Sequence, residues 1–179
     1  AWNGAVKGFN ESGREVLDLE LGENSGFYGP RGIAFDGQNF VIADTGSHRV
    51  AIVSPSDNLV AAFGKMGKGS GEFNGPLDVA ADGKGNYFVA DSGNNRMQWL
   101  NAQGKVLKIF KYDGSVPAVA VDKEGRIYVA ISSNESHVRV YDSKGGYLGD
   151  LKDQGGSGAA FGDVHSMNIS DDDVLMISG

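Results

Sequence analysis

The chain has no cysteine among its 179 residues. Disulfides, thiolate metal sites and cysteine nucleophiles are therefore excluded. Positive charge is the minority sign. Sixteen Lys and Arg face 23 Asp and Glu, for a net charge of −7, and no basic stripe is visible. Binding phosphate backbones needs many cations to displace condensed counterions, so nucleic acid is not an expected partner. No apolar run approaches the ~20 residues of a spanning helix, so membrane insertion is not expected. There is no His-Glu-x-x-His, EF-hand loop or Gly-x-Ser-x-Gly elbow. Gly67–Gly71 is glycine-rich, but no helix pattern follows it to offer a phosphate site. With no such set, no catalytic residue, no metal ligand set and no cofactor are expected.

What the chain has in excess is glycine, 28 residues spread over turn positions, and a repeat. Gly29-Pro30-Arg31-Gly32-Ile33-Ala34-Phe35-Asp36 returns as Gly75-Pro76-Leu77-Asp78-Val79-Ala80-Ala81-Asp82. It returns more loosely as Val116-Pro117-Ala118-Val119-Ala120-Val121-Asp122. Val41-Ile42-Ala43-Asp44-Thr45-Gly46-Ser47-His48-Arg49 matches Phe88-Val89-Ala90-Asp91-Ser92-Gly93-Asn94-Asn95-Arg96. Periods of about 40–45 residues holding four short strands point to an all-β propeller. In the second repeat the strands are read at 77–81, 86–90, 96–100 and 106–110, each closed by a turn signal such as Asp82-Gly83-Lys84-Gly85-Asn86.

The chain divides as a half-blade at 1–28, blades at 29–74, 75–114 and 115–160, and a half-blade at 161–179, or about four blades. Residues 5–21 read as third and fourth strands and 164–177 as first and second strands. Gly13 matches Gly104, and Ile177-Ser178-Gly179 aligns with Ala90-Asp91-Ser92, so the two ends meet in phase. The halves are expected to form one composite blade, within a chain or between two chains, because a lone half exposes unpaired strand edges. Self-association through them follows as an expectation.

The combination of Gly-Pro-x-[Gly/Asp]-[Ile/Val]-Ala-x-Asp, an Ala-Asp-[Thr/Ser]-Gly-x-x-Arg run and the connector Gly64–Pro76 resembles the NHL repeat. Residues 29–110 carry the resemblance best and 115–151 more loosely. The resemblance implies a propeller of four-stranded blades that serves as a platform for proteins, peptides, RNA or glycans. It also implies kinship with zinc- and calcium-dependent amidating lyases and with lactonase-type enzymes.

Two sets of residues are candidates for ligand contact. Asp44 and Asp91 end second strands, and Arg49 and Arg96 start third strands five residues later. They read either as stabilised turns with ion pairs or as a ligand-binding face. The first-strand entrances are the second set. There Arg31, Leu77, Ala118 and His165 align, as do Gly32, Asp78, Val119 and Ser166. Arg31, Asp78 and His165 are expected to converge at a channel mouth. His48 and His137 start third strands of different blades, too far apart to share an ion.

Two functions are weighed, and the first is favoured. One is a non-catalytic scaffold that recognises a protein, peptide or glycan. The other is a metal-dependent lyase or lactonase with its site at the channel mouth. The partner face is expected at 44–49, 91–96 and 131–137 with the connectors 64–75 and 152–163, since loops on a rigid frame carry binding. An acidic, cysteine-free chain starting at Ala1 is expected to be an extracytoplasmic domain, periplasmic or secreted, with a piece of a larger cytoplasmic protein fitting nearly as well.

Overall fold

The computed structural model describes residues 6–19, 26–134, 136–151, 164–170 and 172–179. Three antiparallel four-stranded sheets follow one another along the chain. The first holds β3 (Pro30–Phe35), β4 (Phe40–Asp44), β5 (Arg49–Val53) and β6 (Leu59–Phe63). The second holds β7 (Asp78–Ala81), β8 (Asn86–Asp91), β9 (Arg96–Asn101) and β10 (Val106–Lys111). The third holds β11 (Val119–Val121), β12 (Ile127–Ile131), β13 (His137–Tyr141) and β14 (Tyr147–Leu151). A two-stranded hairpin lies at each end, β1 (Val6–Phe9) with β2 (Glu15–Leu19), and β15 (Ser166–Ile169) with β16 (Leu175–Ser178). Among the described residues the helical content is one 3-10 turn, Ser92–Asn94.

The hairpin turns follow from their chemistry. Asp82 accepts the backbone N–H groups of Lys84 and Asn86 through one oxygen, at 2.7 and 3.0 Å. Gly83 and Gly85 take the positive φ that the turn demands. Asp36, Asp122 and Asp142 repeat the device, as does Asn101.

Alternate residues of a second strand face opposite neighbours, and both faces are buried. On β8, Tyr87 and Val89 pack back on Val41, Ala43 and Ile52 of the first sheet. Phe88 and Ala90 pack forward on Ile127, Val129 and Ile131 of the third. That is why β4, β8 and β12 read as nearly unbroken apolar runs. The first strands β3, β7, β11 and β15 lie side by side in this order. Gly32 permits the closest of these approaches, because a Cβ there would lie 2.5 Å from Asp78 Cα.

The pairing register corrects two alignments. Val119 sits opposite Val129 as Val79 sits opposite Val89, so Ala118, and not Val119, holds the place of Asp78. In the third repeat Ala118 directly follows Pro117, whereas Leu77 separates Asp78 from Pro76, and the sequence alignment absorbed this one-residue difference in the wrong place. At the end of the chain, the His165 N–H donates to the Ser178 carbonyl as Leu77 donates to Ala90. Ser178, and not Ile177, is therefore the counterpart of Ala90.

The terminal hairpins are separate sheets, and among the described residues no ladder joins them. Leu17 and Leu19 of β2 pack on Ile42, Val53 and Phe40 of the first sheet. Met167, Ile169, Leu175 and Ile177 pack on the third. Each hairpin buries its apolar face on its own neighbour, and among the described residues the two form no composite sheet.

Candidate functional site

The Asp-x-Gly turns after β4 and β8 build a repeated clasp. Asp91 Oδ1 accepts the Asn74 N–H at 2.7 Å, and the Gly93 N–H donates back to the Asn74 carbonyl at 2.9 Å. Asp44 and Gly46 hold Tyr28 in the same two-point way, at 2.8 Å each. The glycine is required because a Cβ on Gly93 would fall 2.4 Å from the Asn74 oxygen. The second carboxylate oxygen takes an arginine Nε, from Arg96 at 2.6 Å and from Arg49 at 2.8 Å. Both aspartates are 0% exposed.

The guanidinium groups then reach over the connector that enters each sheet. Arg96 donates to the carbonyls of Lys68, Gly69 and Glu72, and Arg49 donates to that of Gly26. Gln98, also fully buried, donates to Glu72 and accepts from the Gly71 N–H. His48 adds a cross-sheet contact, with Nδ1 accepting the Gly75 N–H at 2.9 Å. Sequence reasoning missed Gln98, although a glutamine within an apolar third strand was the available signal.

The third sheet has no such clasp. Register puts Ile131 where Asp44 and Asp91 stand, and His137 where the arginines stand. There paired backbone hydrogen bonds between Ser115 and Ser132, at 3.1 and 2.9 Å, dock the connector. The four candidates Asp44, Arg49, Asp91 and Arg96 are thus brought together as two ion pairs directed inward. The connector at 152–163 lies outside the described residues.

The first strands form a different feature, a groove of about 690 Å3 lined by β3, β7, β11 and β15. A cavity of this size holds a small ligand or a short peptide segment. Its lining mixes small apolar residues, such as Ala34, Ala80 and Ala120, with the polar and charged Asp82, Asp122, Lys123 and Asn168. Arg31 and Asp78 both line it. The last strand contributes Ser166–Ile169, so the exposed His165 stands outside the lining, and of the expected trio only Arg31 and Asp78 border the groove.

Asp78 is the groove's distinctive group. Its Oδ1 accepts the N–H of Val79 at 2.9 Å, and its Oδ2 accepts that of Val119 at 3.0 Å. One carboxylate thereby bridges the free edges of two first strands. Burial pushes its pKa up from 3.8 to about 6, against the pull of those two N–H groups. Among the described residues no three His, Asp or Glu side chains converge as metal ligands. No helix among them is long and apolar enough to cross a membrane.

The NHL repeat profile matches residues 27–53 and 73–100, each spanning one clasp. The chain is 23% identical over 160 residues to a probable peptidyl-alpha-hydroxyglycine alpha-amidating lyase of Caenorhabditis elegans, covering 83% of this chain and 41% of that protein. It is 29% identical over 129 residues to the protein brain tumor of Drosophila melanogaster, covering 68% of this chain and 12% of that one. The chain therefore spans less than half the length of either relative. Kuenenia stuttgartiensis hydrazine synthase superposes with a TM-score of 0.67 at 17% identity, over 85% of this chain and 42% of that one. At that identity the likeness concerns the fold alone, which is propeller-like. The chain thus carries two NHL-repeat matches, at 27–53 and 73–100, within a propeller-like fold.

Proposed function

We propose that this chain is a non-catalytic binding module, a run of propeller blades whose first-strand groove seats a peptide segment of a partner protein. One observation carries this reading. The charged residues of the Asp-x-Gly face are spent on internal clasps, whereas the groove keeps a concave lining with Arg31 and Asp78 at one end. Pro30 pairs with Asp44, so that end of the groove opens on the same side as the clasped turns. The partner therefore enters from the face carrying 44–49 and 91–96. Self-association through β1 and β16 is a second proposed contact, since each ends a two-stranded sheet.

The test is a peptide selected from a random library against this chain. Arg31→Ala and Asn168→Arg, both at exposed positions of the groove lining, should weaken its binding at least tenfold. Gln103→Ala and Lys105→Ala, on hairpin turns at the other end, should leave it unchanged. The opposite pattern would refute the assignment. A metal-dependent lyase is the second reading, supported by the similarity to the amidating lyase. Elemental analysis of the purified protein tests it: stoichiometric zinc or calcium would favour the enzyme.

A further inference from the structure

Three carboxylates of the three full sheets are neutralised in the same way. Asp44 pairs with Arg49, Asp91 with Arg96 and Asp122 with Arg126. Asp78 differs. Among the described residues no lysine or arginine pairs with it, and its hydrogen bonds come from two backbone N–H groups. Gly32 covers it closely from one side, where a Cβ would lie 2.6 Å from Oδ1. Its remaining approach is from the groove that it lines. Arg31, one residue from Gly32, falls on the alternate face of β3 with the exposed Ile33 and Phe35.

A carboxylate removed from water without a counter-ion is costly. Each of its oxygens accepts one N–H here and can accept another donor. We propose that Asp78 is the anchor for a cationic side chain of the bound peptide, a lysine ammonium or an arginine guanidinium inserted into the groove. The incoming charge supplies the partner that Arg49, Arg96 and Arg126 supply to the other three aspartates. This rests on the groove-binding reading above.

The experiment uses the chain as it stands and five capped peptides, Gly-Val-X-Val-Gly, with X as lysine, arginine, acetyl-lysine, norleucine or glutamate. Binding is followed by the amide shifts of β7 and β11 and by the side-chain carboxyl carbon shift of Asp78 across pH. The lysine or arginine peptide should bind at least tenfold more tightly than the acetyl-lysine and norleucine peptides, and the glutamate peptide should bind weakest. The better of the two cations identifies the head group. Binding should depress the titration of Asp78 and weaken about tenfold for each pH unit below its free midpoint. Asp78→Asn should abolish the preference for charge. If that variant fails to fold, the titration of the unaltered chain decides alone. Equal binding of all five peptides in the groove would overturn the cation assignment and leave groove binding standing. Absence of any shift in β7 and β11 would overturn both. Calcium chloride is the control, and a depressed Asp78 titration with calcium but with no peptide would also overturn the assignment.

Discussion

Replacing Arg96 with alanine should be among the most damaging single changes in this chain. The side chain of Arg96 is 6% exposed, and its partner Asp91 is fully buried. Truncation would leave a buried carboxylate without its counter-ion, which costs about 3–5 kcal/mol in comparable pairs. It would also strip donors from the carbonyls of Lys68, Gly69 and Glu72 in the connector. Arg49→Ala should cost less, about 1–2 kcal/mol, because its guanidinium is 20% exposed and water can screen Asp44 in its absence. Urea unfolding gives the two differences. Amide exchange at Asn74 and Gly93 locates the first loss, since both amides belong to the clasp. Asp91→Asn keeps one acceptor for Asn74 and removes the unpaired charge, so it should recover part of the loss in the Arg96→Ala background. An Arg96→Ala variant losing under about 1 kcal/mol, with exchange at Asn74 unchanged, would refute the clasp as the element that holds the connector.

Three further outcomes are expected. Gly93→Ala should cost about 1–3 kcal/mol and speed exchange at Asn74, because its Cβ would collide with backbone rather than with a movable side chain. His48→Ala should cost about 1 kcal/mol and raise exchange at Gly75, whose N–H loses its acceptor. Asp78 should give stability a pH dependence of opposite sign to that of an ion-paired aspartate. Its folded pKa of about 6 exceeds the ordinary 3.8, so its contribution is complete below pH 3.8 and is lost as pH rises through about 6. The loss amounts to about 3 kcal/mol at most, read from urea midpoints at intervals of pH, and Asp78→Asn should flatten it.

The sequence alone determined the local architecture. Strands read at 77–81, 86–90, 96–100 and 106–110 are found within one residue, since Asp82 and Asn101 enforce their turns through hydrogen bonds to neighbours two and four residues on. The Asp–Arg ion pairs were legible for the same reason: five residues across one tight turn bring the two side chains to adjacent strands. What Asp44 and Asp91 hold was not legible, because Tyr28 and Asn74 lie 16 and 17 residues away and arrive through the connector. The one-residue offset at Ala118 was hidden too, since only the pairing of β11 with β12 shows which residue faces Ala130. Asp78 is the clearest case of tertiary decision. Its bond to Val119 and its recess beneath Gly32 arise from the stacking of three sheets, a property no single repeat contains.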